Sequence, residues 1–135
     1  MQGVVVIGPI DWDWESIKQH QIKGATRQYE VGANRFVIEF DSSYVAFNYD
    51  PALAREFDEG ELRDIPFSAQ TFVLVEYKTP AALKCVLCQG VIPDDAWLDD
   101  DRHPPVSVRD FRDAIEANPG WDWRCAEWPS ASVNR

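Results

Sequence analysis

Three short runs of β-branched and aromatic residues follow one another closely: Gln28–Val31, Arg35–Phe40 and Tyr44–Tyr49. Only Gly32-Ala33-Asn34 and Asp41-Ser42-Ser43 separate them. Gly and Asn tolerate positive φ, and Asp and Ser bond back to their own backbone, so both connectors are turn chemistry. Phe36, Ile38 and Phe40 share one face, as do Val45, Phe47 and Tyr49. That alternation predicts an antiparallel meander with one covered side. A fourth run, Thr71–Tyr77, is apolar on both faces at Phe72, Val73, Leu74 and Val75, which predicts a central strand. Val4–Ile7 is a fifth, ending at Gly8-Pro9. Ile10, Trp12 and Trp14 then alternate with Asp11, Asp13 and Glu15, which on a strand places both indoles on one face.

Helix punctuation is equally clear. Thr79-Pro80 opens a helix over residues 81–89, with Thr79 as N-cap, Pro80 as its first residue and Gly90 as its stop. Ser107-Val108-Arg109-Asp110 resembles a capping box and opens the longest helix, which Asn118-Pro119-Gly120 stops. Asp50-Pro51 starts a helical turn to Phe57, and Ser16 to Lys23 reads as a short polar helix. Residues 58–66 read as a polar loop and 93–105 as an acidic one. The expectation is an α+β fold: an antiparallel sheet of about five strands with two or three helices packed on one face. It forms a single globular domain over residues 1–129, followed by a frayed tail, 130–135.

The 135 residues carry 23 acids against 13 bases, a net charge of −10. A phosphate backbone or an anionic bilayer attracts a basic footprint, so neither nucleic acid nor membrane is an expected partner. An acidic field instead favours encounter with a cationic partner. The apolar run at residues 4–7 is too short for a signal-peptide core, and no stretch approaches a membrane span. Three cysteines, an odd number, suit a reducing compartment, and a cytoplasmic location is expected.

No catalytic signature stands out. A glycine-rich phosphate loop, a nucleophile elbow and an acid–base histidine pair are all missing, with His20 and His103 in polar surroundings. Nothing singles out two of the 23 acids as a glycosidase pair. The spacing from Asp99 through His103 to Asp110 faintly echoes a calcium loop. It fails where Pro104 replaces the turn Gly and Asp110 the bidentate Glu. Cys85-Val86-Leu87-Cys88 is a CxxC that, with His103 and Cys125, offers four potential zinc ligands. Its mid-helix position favours core packing over redox work. No cofactor is expected.

The tripeptide Trp-Asp-Trp occurs twice, as Trp12-Asp13-Trp14 and Trp121-Asp122-Trp123, and holds four of the six tryptophans. The first, on its alternating segment, reads as core. The second follows a helix stop and adjoins Arg124 and Trp128, so it reads as a contact surface, together with Trp97 in the acidic loop. In acidity, aromatic content and lack of catalytic residues, the chain resembles the small immunity proteins that neutralise bacterial toxins. That resemblance implies a non-enzymatic protein that blocks a basic partner, such as a nuclease toxin. The expected contact residues are Trp97, Asp99, Asp100, Asp101, Trp121, Asp122 and Trp123. Two alternatives stand beside it: a metal-dependent protein or enzyme using Cys85, Cys88, His103 and Cys125, and an aromatic cage for a small cation. A homodimer is compatible with any of these.

Overall fold

In the computed structural model, which describes residues 2–68 and 70–124, the expected mixed α+β architecture is present. The strands are β1 (Gln2–Pro9), β2 (Arg27–Glu30), β3 (Arg35–Glu39), β4 (Tyr44–Tyr49), β5 (Gln70–Tyr77), β6 (Trp97–Asp99) and β7 (Val106–Ser107). Two α-helices, α1 (Pro80–Leu87) and α2 (Val108–Ala117), join them, with 3-10 helices at Trp14–Gln19 and Pro51–Glu56. Among the described residues, all seven strands form one antiparallel sheet in the order β2-β3-β4-β5-β1-β6-β7. The expected meander is β2-β3-β4, and the doubly apolar β5 is the fourth of seven strands. Of the two additional strands, β6 lies within the stretch read as an acidic loop and β7 directly follows it. Three residues of β6 give too short a periodic signal to see, and the strand exists because the open edge of β1 pairs with it, Val6 opposite Leu98.

Alternation divides β1 and β5 between two cores. Val4, Val6, Val73, Val75 and Tyr77 face the larger one, with Phe36, Ile38, Val45 and Phe47 from the meander and Leu83, Leu87, Phe111 and Ile115 from the helices. Val5, Ile7, Phe72 and Leu74 face a second core on the opposite side. There Leu53, Phe57, Leu62, Ile65 and Phe67 cover them, and Phe57 stacks on Phe72 at 5.3 Å between ring centroids. Both α-helices take one side, as expected, and the other side is covered in part by residues 51–67, a second layer the sequence reading did not include. The uncovered half, over β3 and β4, is tiled by a polar network. Arg35 donates to Asn48 (2.6 Å) and Glu76 (2.7 Å), and Asn48 also donates to Glu76 (3.2 Å).

The capping chemistry forms as expected. The hydroxyl of Thr79 accepts from the Ala82 N–H and that of Ser107 from the Asp110 N–H, while the Asp50 carboxylate accepts from the Ala52 N–H. Alternation through Ile10, Trp12 and Trp14 does not extend the strand. After Pro9 the chain turns, the Trp12 N–H donates to the Pro9 carbonyl (2.9 Å), and Trp14 opens the first 3-10 helix with Asp13 as its N-cap. The Trp12 ring folds back over Gly8, where an added Cβ would lie 2.4 Å from the indole. Gly8 is thus required for the close approach of a side chain. The expected frayed tail, Trp128 and Cys125 lie outside the described residues.

Candidate functional site

The stretch from Trp97 to His103 is locked down more tightly than its acidity suggests. β6 directs Leu98 into the larger core and rests Trp97, half-buried, on the second. Asp99 is buried, at 7% exposure. Desolvation pushes its carboxyl from the ordinary 3.8 up to about 6, opposed by the Asp101 N–H and reinforced by Asp100, Asp101 and Glu61. Asp100 closes the turn: Oδ1 accepts from the N–H groups of Arg102 and His103 at 2.9 Å each, and Oδ2 pairs with His103 Nδ1 at 2.8 Å. Asp101 occupies the left-handed region at φ 69° and projects into solvent. That conformation costs Asp less than most residues.

The second Trp-Asp-Trp is core rather than contact surface. Trp123 is 1% exposed and Trp121 9%. Both pack against Phe111, at centroid distances of 5.3 and 5.1 Å, and the Trp123 Nε1–H donates to the Tyr77 hydroxyl (3.2 Å). Both indoles are thus largely withdrawn from solvent, and the Trp123 ring borders a groove instead of standing free on the surface. The physical reason is that α2 ends at Asn118 and the chain doubles back, laying both indoles beside Phe111. Asp122 clamps Arg124 through two bonds, at 2.9 and 2.7 Å, and Arg124 also donates to the Gln2 side chain (2.6 Å).

The fold does bring the two stretches together. Asp100, Arg102, Trp123 and Arg124 line one groove with Gln2, Gly3 and Tyr77, of about 420 Å³, and Arg102 donates to the Arg124 carbonyl (3.3 Å). Its charge is mixed rather than acidic, because both guanidiniums sit there. Of the seven residues expected at a partner surface, Asp101 alone is classed as exposed. Trp97, Asp100 and Asp122 are part-buried, the last two with ion-pair partners, and Asp99, Trp121 and Trp123 are buried.

The metal reading finds no assembled ligand set. Among the described residues, no group of three or more His, Cys, Asp or Glu side chains is placed to hold an ion, and Cys125 lies outside them. Cys85 is in mid-helix, where its thiol lies 3.5 Å from the Lys23 carbonyl and accepts from Gln89 (3.2 Å). Cys88 is exposed, and desolvation followed by Glu116 holds its thiol above the usual range, the opposite of an activated nucleophile. His103 is held in the β6 turn by Asp100.

The uncompensated acid lies elsewhere, on the segment covering the second core. Phe57, Leu62, Ile65 and Phe67 turn inward, leaving Glu56, Asp58, Glu59, Glu61 and Asp64 exposed. Five carboxylates face two cations, Arg55 and Arg63, and among the described residues none of the five is in an ion pair. Asp58 and Glu61 bond reciprocally to each other's N–H groups, at 2.8 and 3.0 Å, giving the segment a fixed turn. Glu61 is near enough to raise the Asp99 carboxyl, so the acidic cover and the β6 turn share one field. The signal was present in the sequence as apolar residues at 57, 62, 65 and 67 among the acids, too irregularly spaced to name a helix or strand.

Membrane insertion through a helix has no candidate: no helix among the described residues is long and apolar enough to cross a bilayer. Compared with known protein families, with curated proteins and with solved structures, the chain matches none.

Proposed function

We propose that this protein is a non-enzymatic acidic binding protein that neutralises or regulates a basic protein partner, in the manner of an immunity protein against a nuclease-like toxin. The observation that carries the reading is the segment 56–64, whose five exposed carboxylates have no ion-pair partner within the described chain. Unpaired like charges destabilise the fold that bears them, and a cationic surface relieves that repulsion on contact. Asp101 and the Glu61–Asp99 neighbourhood extend the same field toward β6. The partner surface accordingly moves from the tryptophans to the acidic cover.

Co-expression with the protein encoded by the adjoining reading frame tests the reading. The expected outcome is that the neighbour is toxic alone, tolerated together with this chain, and recovered as a complex whose association rate falls steeply with salt. A neighbour that is neither toxic nor bound overturns the proposal.

A further inference from the structure

We infer that Ile10, at the turn leaving β1, is a preset apolar anchor that seats in a recess of the same cationic partner, a recess rimmed by Lys or Arg. The inference rests on the proposed function. Two large apolar side chains stand exposed among the described residues, Ile10 at 64% and Val31 at 49%, and Ile10 is the more exposed. A single exposed Ile is ordinary on a protein surface. Three features set this one apart.

The first is position. Ile10 occupies a tight turn, where Gly, Pro, Asn, Asp and Ser dominate and a β-branched residue has no local advantage. The second is rigidity. The turn is closed by the Trp12 N–H on the Pro9 carbonyl (2.9 Å), and the Ile10 carbonyl accepts from the Thr71 hydroxyl (3.4 Å). The Trp12 indole is packed onto Gly8, and the Asp13 carboxylate caps the following helix by accepting from the Glu15 N–H (3.1 Å). An anchor held in this way loses little freedom on binding, which is how preorganisation raises affinity. The third is surroundings. Asp11 follows Ile10 in the turn, Asp13 lies three residues on, and both are exposed. Pro9 pairs with Gln70, whose side chain donates to the Phe67 carbonyl (2.7 Å), so the turn adjoins the end of the acidic cover. An apolar centre with a charged rim is the usual arrangement of a binding hot spot, and the carboxylates specify cations opposite.

The experiment measures binding kinetics between this chain and the adjoining reading frame's product, using wild type, Ile10→Ser, Ile10→Leu and Asp11→Asn. Ile10→Ser is expected to weaken binding roughly tenfold, mainly through faster dissociation, with an unchanged melting temperature. Ile10→Leu is expected to restore most of the loss, and Asp11→Asn to act on association rate and salt dependence. If wild type binds and Ile10→Ser binds within about twofold of it, the anchor is rejected and the functional reading stands. If wild type does not bind, the functional reading fails and the anchor with it.

Discussion

The two Trp-Asp-Trp tripeptides are chemically identical and structurally unlike. In the first, Asp13 caps a 3-10 helix, Trp14 stacks on Tyr49 at 5.8 Å beneath the Lys18 ammonium, and Trp12 is only half-buried over Gly8. Among the described residues, the Trp12 Nε1–H is itself buried without a partner. In the second, both indoles are buried, Trp123 has its hydrogen bond, and Asp122 clamps an Arg. What precedes each tripeptide accounts for the difference. Pro9 ends a strand and turns the chain back on itself at the sheet's end, so part of the first pair faces outward. Asn118-Pro119-Gly120 ends a helix already seated on the sheet, so the second pair continues along the core. An aromatic tripeptide is therefore no indicator of a contact surface until its supporting backbone is known.

That contrast breaks most sharply at Trp123. Trp123→Ala is expected to destabilise by about 3–5 kcal/mol, read from denaturant midpoints, because it opens a cavity between Phe111 and Tyr77. A loss below about 1 kcal/mol would return Trp123 to the surface role. Asp99→Asn tests the turn that shares a field with the acidic cover. A carboxyl raised from 3.8 to about 6 favours folding while protonated, so its contribution is complete below pH 4 and disappears as pH rises through 6. Asn is expected to raise stability at pH 7 by about 2 kcal/mol and to flatten the loss between pH 4 and 6. A variant whose pH profile parallels wild type would contradict the burial of Asp99.

Gly8→Ala addresses the first tripeptide. The added methyl meets the Trp12 ring, and a loss of about 1–3 kcal/mol is expected in thermal or denaturant melts. A neutral result would mean that Trp12 swings clear and the turn is less rigid than the Ile10 anchor requires. Asp13→Ala removes a cap and is expected to cost about 1 kcal/mol. Asp122→Ala breaks a part-exposed ion pair and is expected to cost less, within about 0.5 kcal/mol. Equal costs for the two aspartates would erase the distinction drawn between them.

The meander, the central β5 and the caps at Thr79 and Ser107 were all legible in the chain. Each depends on local rules: side-chain alternation, φ preferences, and hydroxyls that satisfy the first N–H groups of a helix. The candidate site was less legible. Asp94, Asp99, Asp100 and Asp122 look equivalent as letters. Arg112 pairs with Asp94, Arg124 with Asp122 and His103 with Asp100, while β6 carries Asp99 inward. Of the free acids at 56–64, Glu56 read as part of a helical turn and the others as a polar loop, since the core they cover is partly made by β1, far away in the sequence.

Composition by itself determined the charge of −10, because net charge needs no fold. Local pattern determined most strands and helices and the places where they stop. Only the tertiary structure decided which carboxylates remain uncompensated, which tryptophans are hidden, and that Ile10, just ahead of the first motif, stands exposed. Those outcomes depend on which distant segments meet across the sheet, and burial and pairing are properties of that meeting rather than of any residue alone.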